Sequence, residues 1–181
     1  VFDRHSNSFK FHHGPIFTQV VLADEINRAT PKAQSALLEA MEERQVSVEG
    51  VTRMLPAPFF VIATQNPSHQ IGTFALPESQ LDRFLMRINL GFPDHEAERK
   101  LLIGDDRRSM LANIEPVMDA EQLQSLQGAA SRPHVAPALL DYLQDLLAFS
   151  RESSYYQTGL SPRAGLAILH SAKAYAFMDK R

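Results

Sequence analysis

The 181 residues of this chain include no cysteine. Disulfides and thiolate metal centres are thereby excluded, and such a composition suits a reducing compartment. No apolar run approaches the roughly 20 residues that a membrane-spanning helix needs. Asp3, Arg4 and His5 interrupt any early apolar stretch, so no signal peptide is read there and a cytoplasmic location is expected. Positive charge is not in excess either: 18 Lys and Arg stand against 21 Asp and Glu, a net charge of −3. With no Lys/Arg-rich stripe to offset this, nothing draws the chain as a whole toward nucleic acid. What remains is ordinary for a water-soluble globular protein, with 44% apolar and 22% charged residues. The length allows one sizeable core, or a core with a small satellite domain.

Phe2, Phe9 and Phe11, followed by the Gly14-Pro15 break, read as a short hairpin. An apolar, β-prone run over 17–23 follows and ends in Asp24-Glu25. Thr30-Pro31 then opens a helix, since Thr caps free N–H groups and Pro fits the first helical position. Ala33, Leu37, Leu38 and Met41 line one face of it, with Glu39, Glu42 and Glu43 mostly elsewhere. Residues 45–55 alternate and turn at Glu49-Gly50, a hairpin signal. A second apolar strand over 59–64 delivers Gln65-Asn66-Pro67. A loop containing Gly72, a short helix near 77–84 and a third strand over 85–90 lead to a boundary at Phe92-Pro93. Beyond it the pattern is helical only, near 94–111, 119–129, 137–152 and 162–179. Asp119 with Gln122 makes a capping box, and Ser161-Pro162 repeats the cap-then-Pro start. The expectation is an α/β portion over 1–92 with a parallel sheet, then an all-helical portion over 93–181.

Several residues could carry chemistry. The C-terminal edge of a parallel sheet is where α/β proteins bind ligands, so a strand ending in Asp24-Glu25 fits a Walker B strand. There the first acid helps hold Mg²⁺ and the second prepares a water to attack a phosphate. A buried strand running into an acidic turn would look the same. Asn66 arrives at a second strand tip, where an amide can donate and accept together; Asn-Pro is also a common turn initiator. Arg83, in Leu81-Asp82-Arg83-Phe84, could reach a neighbouring subunit's nucleotide, because guanidinium binds phosphate in a bidentate way; an ion pair with Asp82 is the alternative. Arg163 sits in the first turn of a helix, where the macrodipole disfavours a cation, which suggests a compensating ligand or carboxylate; a single exposed Arg that costs little is the alternative. His12-His13 is not read as a metal site, since neighbours on a strand face opposite ways. Arg107-Arg108 reads as a solvated helix face, and Ser161 has no His/Asp arrangement around it.

The order of these signals resembles an AAA+ ATPase, and the wording resembles the MoxR branch. Gly14-Pro15-Ile16-Phe17, Leu22 to Ala29, Gln34 to Met41, Ala63 to Pro67 and Leu76 to Phe84 all look like that family's signatures. The resemblance implies a P-loop NTPase sheet followed by a helical lid, with ATP and Mg²⁺ as ligands. It also implies a homo-oligomeric ring, expected to be a hexamer, that remodels a client protein or inserts metal into it. Asp24 would help hold Mg²⁺, Glu25 would polarise the lytic water, and Asn66 would be sensor 1. Arg83 would be the arginine finger and Arg163 would be sensor 2. A partner bearing a von Willebrand factor A domain is expected by the same analogy. One signature is missing: no Gly-Lys dipeptide occurs, so residues 1–181 hold no Walker A loop. The family carries that loop N-terminal to Walker B, so truncation is expected. With it come an open sheet edge, exposed apolar surface and an isolated chain that neither binds ATP tightly nor hydrolyses it. A DNA-directed AAA+ motor and a non-enzymatic interaction module are the rival readings.

Overall fold

The computed structural model describes residues 2–3, 8–9, 11–66, 72–104, 111 and 113–180. Pro67 and the Arg107-Arg108 pair lie outside them. Phe2–Asp3 (β1) pairs antiparallel with Ser8–Phe9 (β2), as the hairpin reading expects. Of the apolar run that follows, only Val20–Ala23 (β3) is strand. A turn of 3₁₀ helix, Ile26–Arg28, leads to α1, Pro31–Glu43, capped by Thr30, whose hydroxyl accepts from the Ala33 N–H. Gln45–Val48 (β4) and Val51–Met54 (β5) form the second hairpin. Both turn residues have positive φ, 53° at Glu49 and 76° at Gly50, the backbone of a type I′ turn that matches strand twist.

Phe60–Ala63 (β6) returns to lie parallel to β3, with Val20 opposite Phe60 and Ala23 opposite Ala63. This pair is the small parallel sheet. Side chains alternate along a strand, and here Val21 and Val61 face a core of Ala40, Leu55 and Phe59. Val20, Leu22, Phe60 and Ile62 point the other way and are exposed. Arg44, left-handed at φ 56°, ends α1 and ties the pieces together. Its N–H donates to Ala40 O and its guanidinium to Phe59 O, while its own carbonyl accepts from Leu55 N.

The face expected of α1 is largely the one it buries: Leu38 is buried, Leu37 and Met41 are half-buried, and Met41 packs on the core; Ala33 is the exception. Gln34 and Ala40 are buried as well, whereas Ala33 is exposed. Residues 34, 38 and 41 share a face at 3.6 residues per turn, so a polar residue occupies the place that an apolar reading gives to its neighbour. A short helix, α2, spans Glu78–Leu81. The third strand expected over 85–90 does not form, and Leu85, Met86, Ile88 and Leu90 are exposed. A strand must pair its N–H and C=O groups, and among the described residues no strand lies alongside this run.

The chain divides into two compact units, Val1–Arg83 and Phe84–Arg181. The second holds α3, His95–Ile103; α4, Ala120–Ala130; α5, Pro137–Glu152; and α6, Pro162–Met178. Both halves of the Asp119/Gln122 capping box are present. Gly104, extended at ψ 161°, ends α3; residues 105–110 of the helix expected over 94–111 lie outside the described residues. Both α4 and α5 pack on α6. At Gly165 a Cβ would come within 2.9 Å of Leu147 Cδ1, so α5 and α6 pack closely here and a larger residue would have to displace the Leu147 side chain. The buried Ser150 hydroxyl accepts from Leu160 N, and Arg151 donates to Leu160 O. These contacts fix the entry to α6, whose first turn carries Arg163.

Candidate active site

Register creates the site. Because Ala23 lies opposite Ala63, the two parallel strands end level and their next residues meet. Thr64 N donates to Ala23 O at 3.1 Å, and Ile26 N donates to Thr64 O at 3.0 Å. Between these bonds the chain leaves β3 through Glu25, which is left-handed at φ 50°, ψ 47°. That conformation is uncommon for a residue with a Cβ and tends to be held where surrounding contacts over-determine it. Here the contact is Thr64: its Oγ1 accepts from Glu25 N at 2.9 Å and donates to Asp24 Oδ1 at 2.6 Å. One hydroxyl thus fixes the backbone of one acid and the side chain of the other.

Glu25 is held at both carboxylate oxygens. Asn66 Nδ2 donates to Oε1 at 2.6 Å, and Arg28 Nε meets Oε2 at 2.6 Å. The Arg28–Glu25 pair is partly solvated, with side chains 50% and 38% exposed. Such pairs contribute only about 0–1 kcal/mol, so exchanging Arg28 for a water costs Glu25 little. Asp24, Glu25 and Asn66, the first three residues singled out in the sequence, therefore share one edge of the sheet.

Arg83 is engaged elsewhere in the same unit. Its Nη1 meets Glu42 Oε2 at 2.6 Å and donates to Leu38 O at 3.5 Å. The ion pair is thus with Glu42 on α1, where the sequence offered Asp82. Both side chains are about one-third exposed, 31% and 34%, so this too is a weak hold. Ser35, Leu38, Glu39, Glu42, Gln80 and Arg83 line a cavity of about 510 Å³. Arg163 occupies the second position of α6 in the other unit and is exposed.

Three residues were missed by motif reading. Thr64 is the hydroxyl described above. Asn27 is 3% exposed and Gln34 is 2% exposed, and both use their carboxamides on backbone near the site. A polar residue inside a run that otherwise packs inward is the only signal the sequence offers for them.

The fit to Mg²⁺ follows from donor chemistry. No group of three or more His, Asp or Glu side chains gathers among the described residues, so they build no all-protein cage. Mg²⁺ needs none: it keeps several waters and binds through one or two carboxylates plus substrate phosphates. The exposed Asp24 carboxylate at a strand tip suits that pattern.

Comparison with known proteins bears on the family of the chain. Residues 1–86 match the model of the ATPase family associated with various cellular activities. The chain is 40% identical over 178 residues to the chaperone MoxR1 of Mycobacterium tuberculosis, covering 93% of this chain and 46% of that protein. The chain is a MoxR-like AAA+ protein. It is also 40% identical to Bacillus subtilis YeaC over all 181 residues, which is 57% of YeaC. A crystal structure from Cytophaga hutchinsonii, assigned as an ATPase, superposes with a TM-score of 0.83 at 34% identity, covering all of this chain and 58% of that one. The α/β reading of the fold agrees with that structure. The MoxR-like chain thus spans about half the length of the curated relatives it matches.

Proposed function

We propose that the strand-tip edge of this MoxR-like chain is the hydrolytic half of an ATP site, and that the full-length protein couples Mg²⁺-dependent ATP hydrolysis to remodelling, maturation or metal insertion on a client protein. The observation that carries the reading is the level ending of β3 and β6, which gathers Asp24, Glu25, Thr64 and Asn66. In this reading Asp24 is the residue that holds Mg²⁺, which when bound neutralises charge on the phosphates. Glu25 takes the proton of the attacking water, once Arg28 yields its oxygen. Asn66 fixes the other Glu25 oxygen and offers an amide to the γ-phosphate or the water. Arg83 serves a neighbouring subunit's nucleotide in a homo-oligomeric ring, expected to be a hexamer in the cytoplasm. Arg163 is the lid arginine. Residues 1–92 form the core part and 93–181 the lid.

Asp24→Asn in the full-length protein is expected to raise the Mg²⁺ concentration needed for turnover, or to weaken Mg-ATP binding, because a metal ligand loses its charge. A Mg²⁺ titration of phosphate release checks this; an unchanged midpoint removes Asp24 from the metal site. Residues 1–181 alone are expected not to bind ATP tightly, since backbone N–H groups and the Lys of a phosphate loop make most phosphate contacts. The partner expected by analogy is a protein with a von Willebrand factor A domain. An ATPase does work on a partner only if the partner binds its ATP and ADP states differently. A pull-down with the Glu25→Gln form in ATP should therefore enrich such a protein over an ADP control. Enrichment of DNA instead would favour the DNA-motor reading.

A further inference from the structure

We infer that Asn27 is a positioning residue for Asn66, and that Gln34 extends its hold to the segment around Phe74. The inference rests on the ATP-site reading above. Asn27 directly follows the Glu25-Ile26 turn and is almost fully buried. Its carboxamide grips the Asn66 main chain from both sides: Nδ2 donates to Asn66 O at 3.0 Å, and Oδ1 accepts from Asn66 N at 3.4 Å. Asn66 extends beyond the last ladder residue of β6, where sheet bonds no longer fix its backbone. The Asn27 side chain replaces them, so the Asn66 amide projects from a fixed main chain toward Glu25 Oε1.

The hold continues inward. Asn27 O accepts from Phe74 N at 2.6 Å. Gln34 Nε2 donates to both Ile26 O and Phe74 O, each at 3.1 Å. Two buried carboxamides, one on the turn and one on α1, thus tie together the acid-bearing turn, the sensor tip and the chain after Gly72. Buried polar groups are costly unless paired, and both carboxamides are paired here: Asn27 holds the Asn66 main chain directly, while Gln34 holds the neighbouring Ile26 and Phe74 carbonyls.

A double-mutant cycle in the full-length protein separates positioning from bulk stability. Asn27→Ala, Asn66→Ala and the double variant are compared for kcat and KM of ATP hydrolysis, each at a temperature well below its own Tm. Asn27→Ala is expected to lower kcat by about 10-fold or more with KM little changed, and to have almost no further effect once Asn66 is alanine, because residues acting through one another are non-additive. Full additivity, or a kcat unaffected by Asn27→Ala, overturns the inference. If Asn27→Ala fails to fold, Asn27→Asp keeps the acceptor for Asn66 N and loses the donor to Asn66 O, and the same cycle applies. Absence of turnover in the wild-type protein would instead defeat the ATP-site reading, so the two failures are distinguishable.

Discussion

Glu25→Gln in the full-length protein should retain Mg-ATP binding and lose at least about 100-fold in turnover. General-base catalysis contributes roughly 10²–10⁴-fold, and an amide cannot take the proton. The substitution is mild for the fold. Its oxygen can still accept from Asn66 Nδ2, which now reaches Glu25 at 2.6 Å. Its NH₂ group would face Arg28 as donor against donor, but that pair is half-solvated and worth about 1 kcal/mol or less. The left-handed turn depends on the Glu25 backbone and Thr64, and neither changes. Steady-state phosphate release and nucleotide calorimetry on the same preparation check both halves. A rate within a few-fold of wild type would remove Glu25 from the role of base.

Arg83→Ala should lower turnover about a thousandfold, the low end of what an arginine finger supplies, and the defect should be rescued in trans. In this chain Arg83 rests on Glu42 and the Leu38 carbonyl. Breaking a partly exposed ion pair costs on the order of 1 kcal/mol, whereas a thousandfold in rate is about 4 kcal/mol. If Arg83 serves a phosphate at a subunit interface, the Glu42 pair is therefore weak enough to yield to it. Mixing the Arg83→Ala and Glu25→Gln proteins, each inactive alone, creates some interfaces with both groups intact, and activity should return. No rescue in rings shown to be mixed would place the role of Arg83 within its own subunit or outside catalysis.

The two apolar strands and their polar endings were legible because Val20–Ala23 and Phe60–Ala63 are short uninterrupted apolar runs, and a polar side chain just past such a run sits at the sheet edge; the start of the first was read too early because Thr18 and Gln19 are not part of that run. Helix starts were legible at Thr30, Asp119 and Ser161 because capping is local chemistry. What the sequence could not show is pairing across 40 residues: only the register Ala23 to Ala63 brings Thr64 against Asp24 and Asn66 against Glu25. Gln34 was passed over because its burial depends on finding two backbone acceptors, Ile26 O and Phe74 O, which no helical period reveals. The 85–90 run failed for the converse reason: β-prone residues make a strand only where another strand lies beside them.

The central claim is that this sheet edge is where ATP is hydrolysed. A structure of the full-length Glu25→Gln protein with Mg-ATP tests it most directly. The account predicts the triphosphate at the β3–β6 tips, Mg²⁺ at Asp24, Asn66 within hydrogen-bond reach of the γ-phosphate or its water, and Arg83 of a neighbouring subunit at the same phosphate. Nucleotide bound away from Asp24 and Asn66, or a tip edge that stays clear of phosphate in an assembled ring, would contradict it.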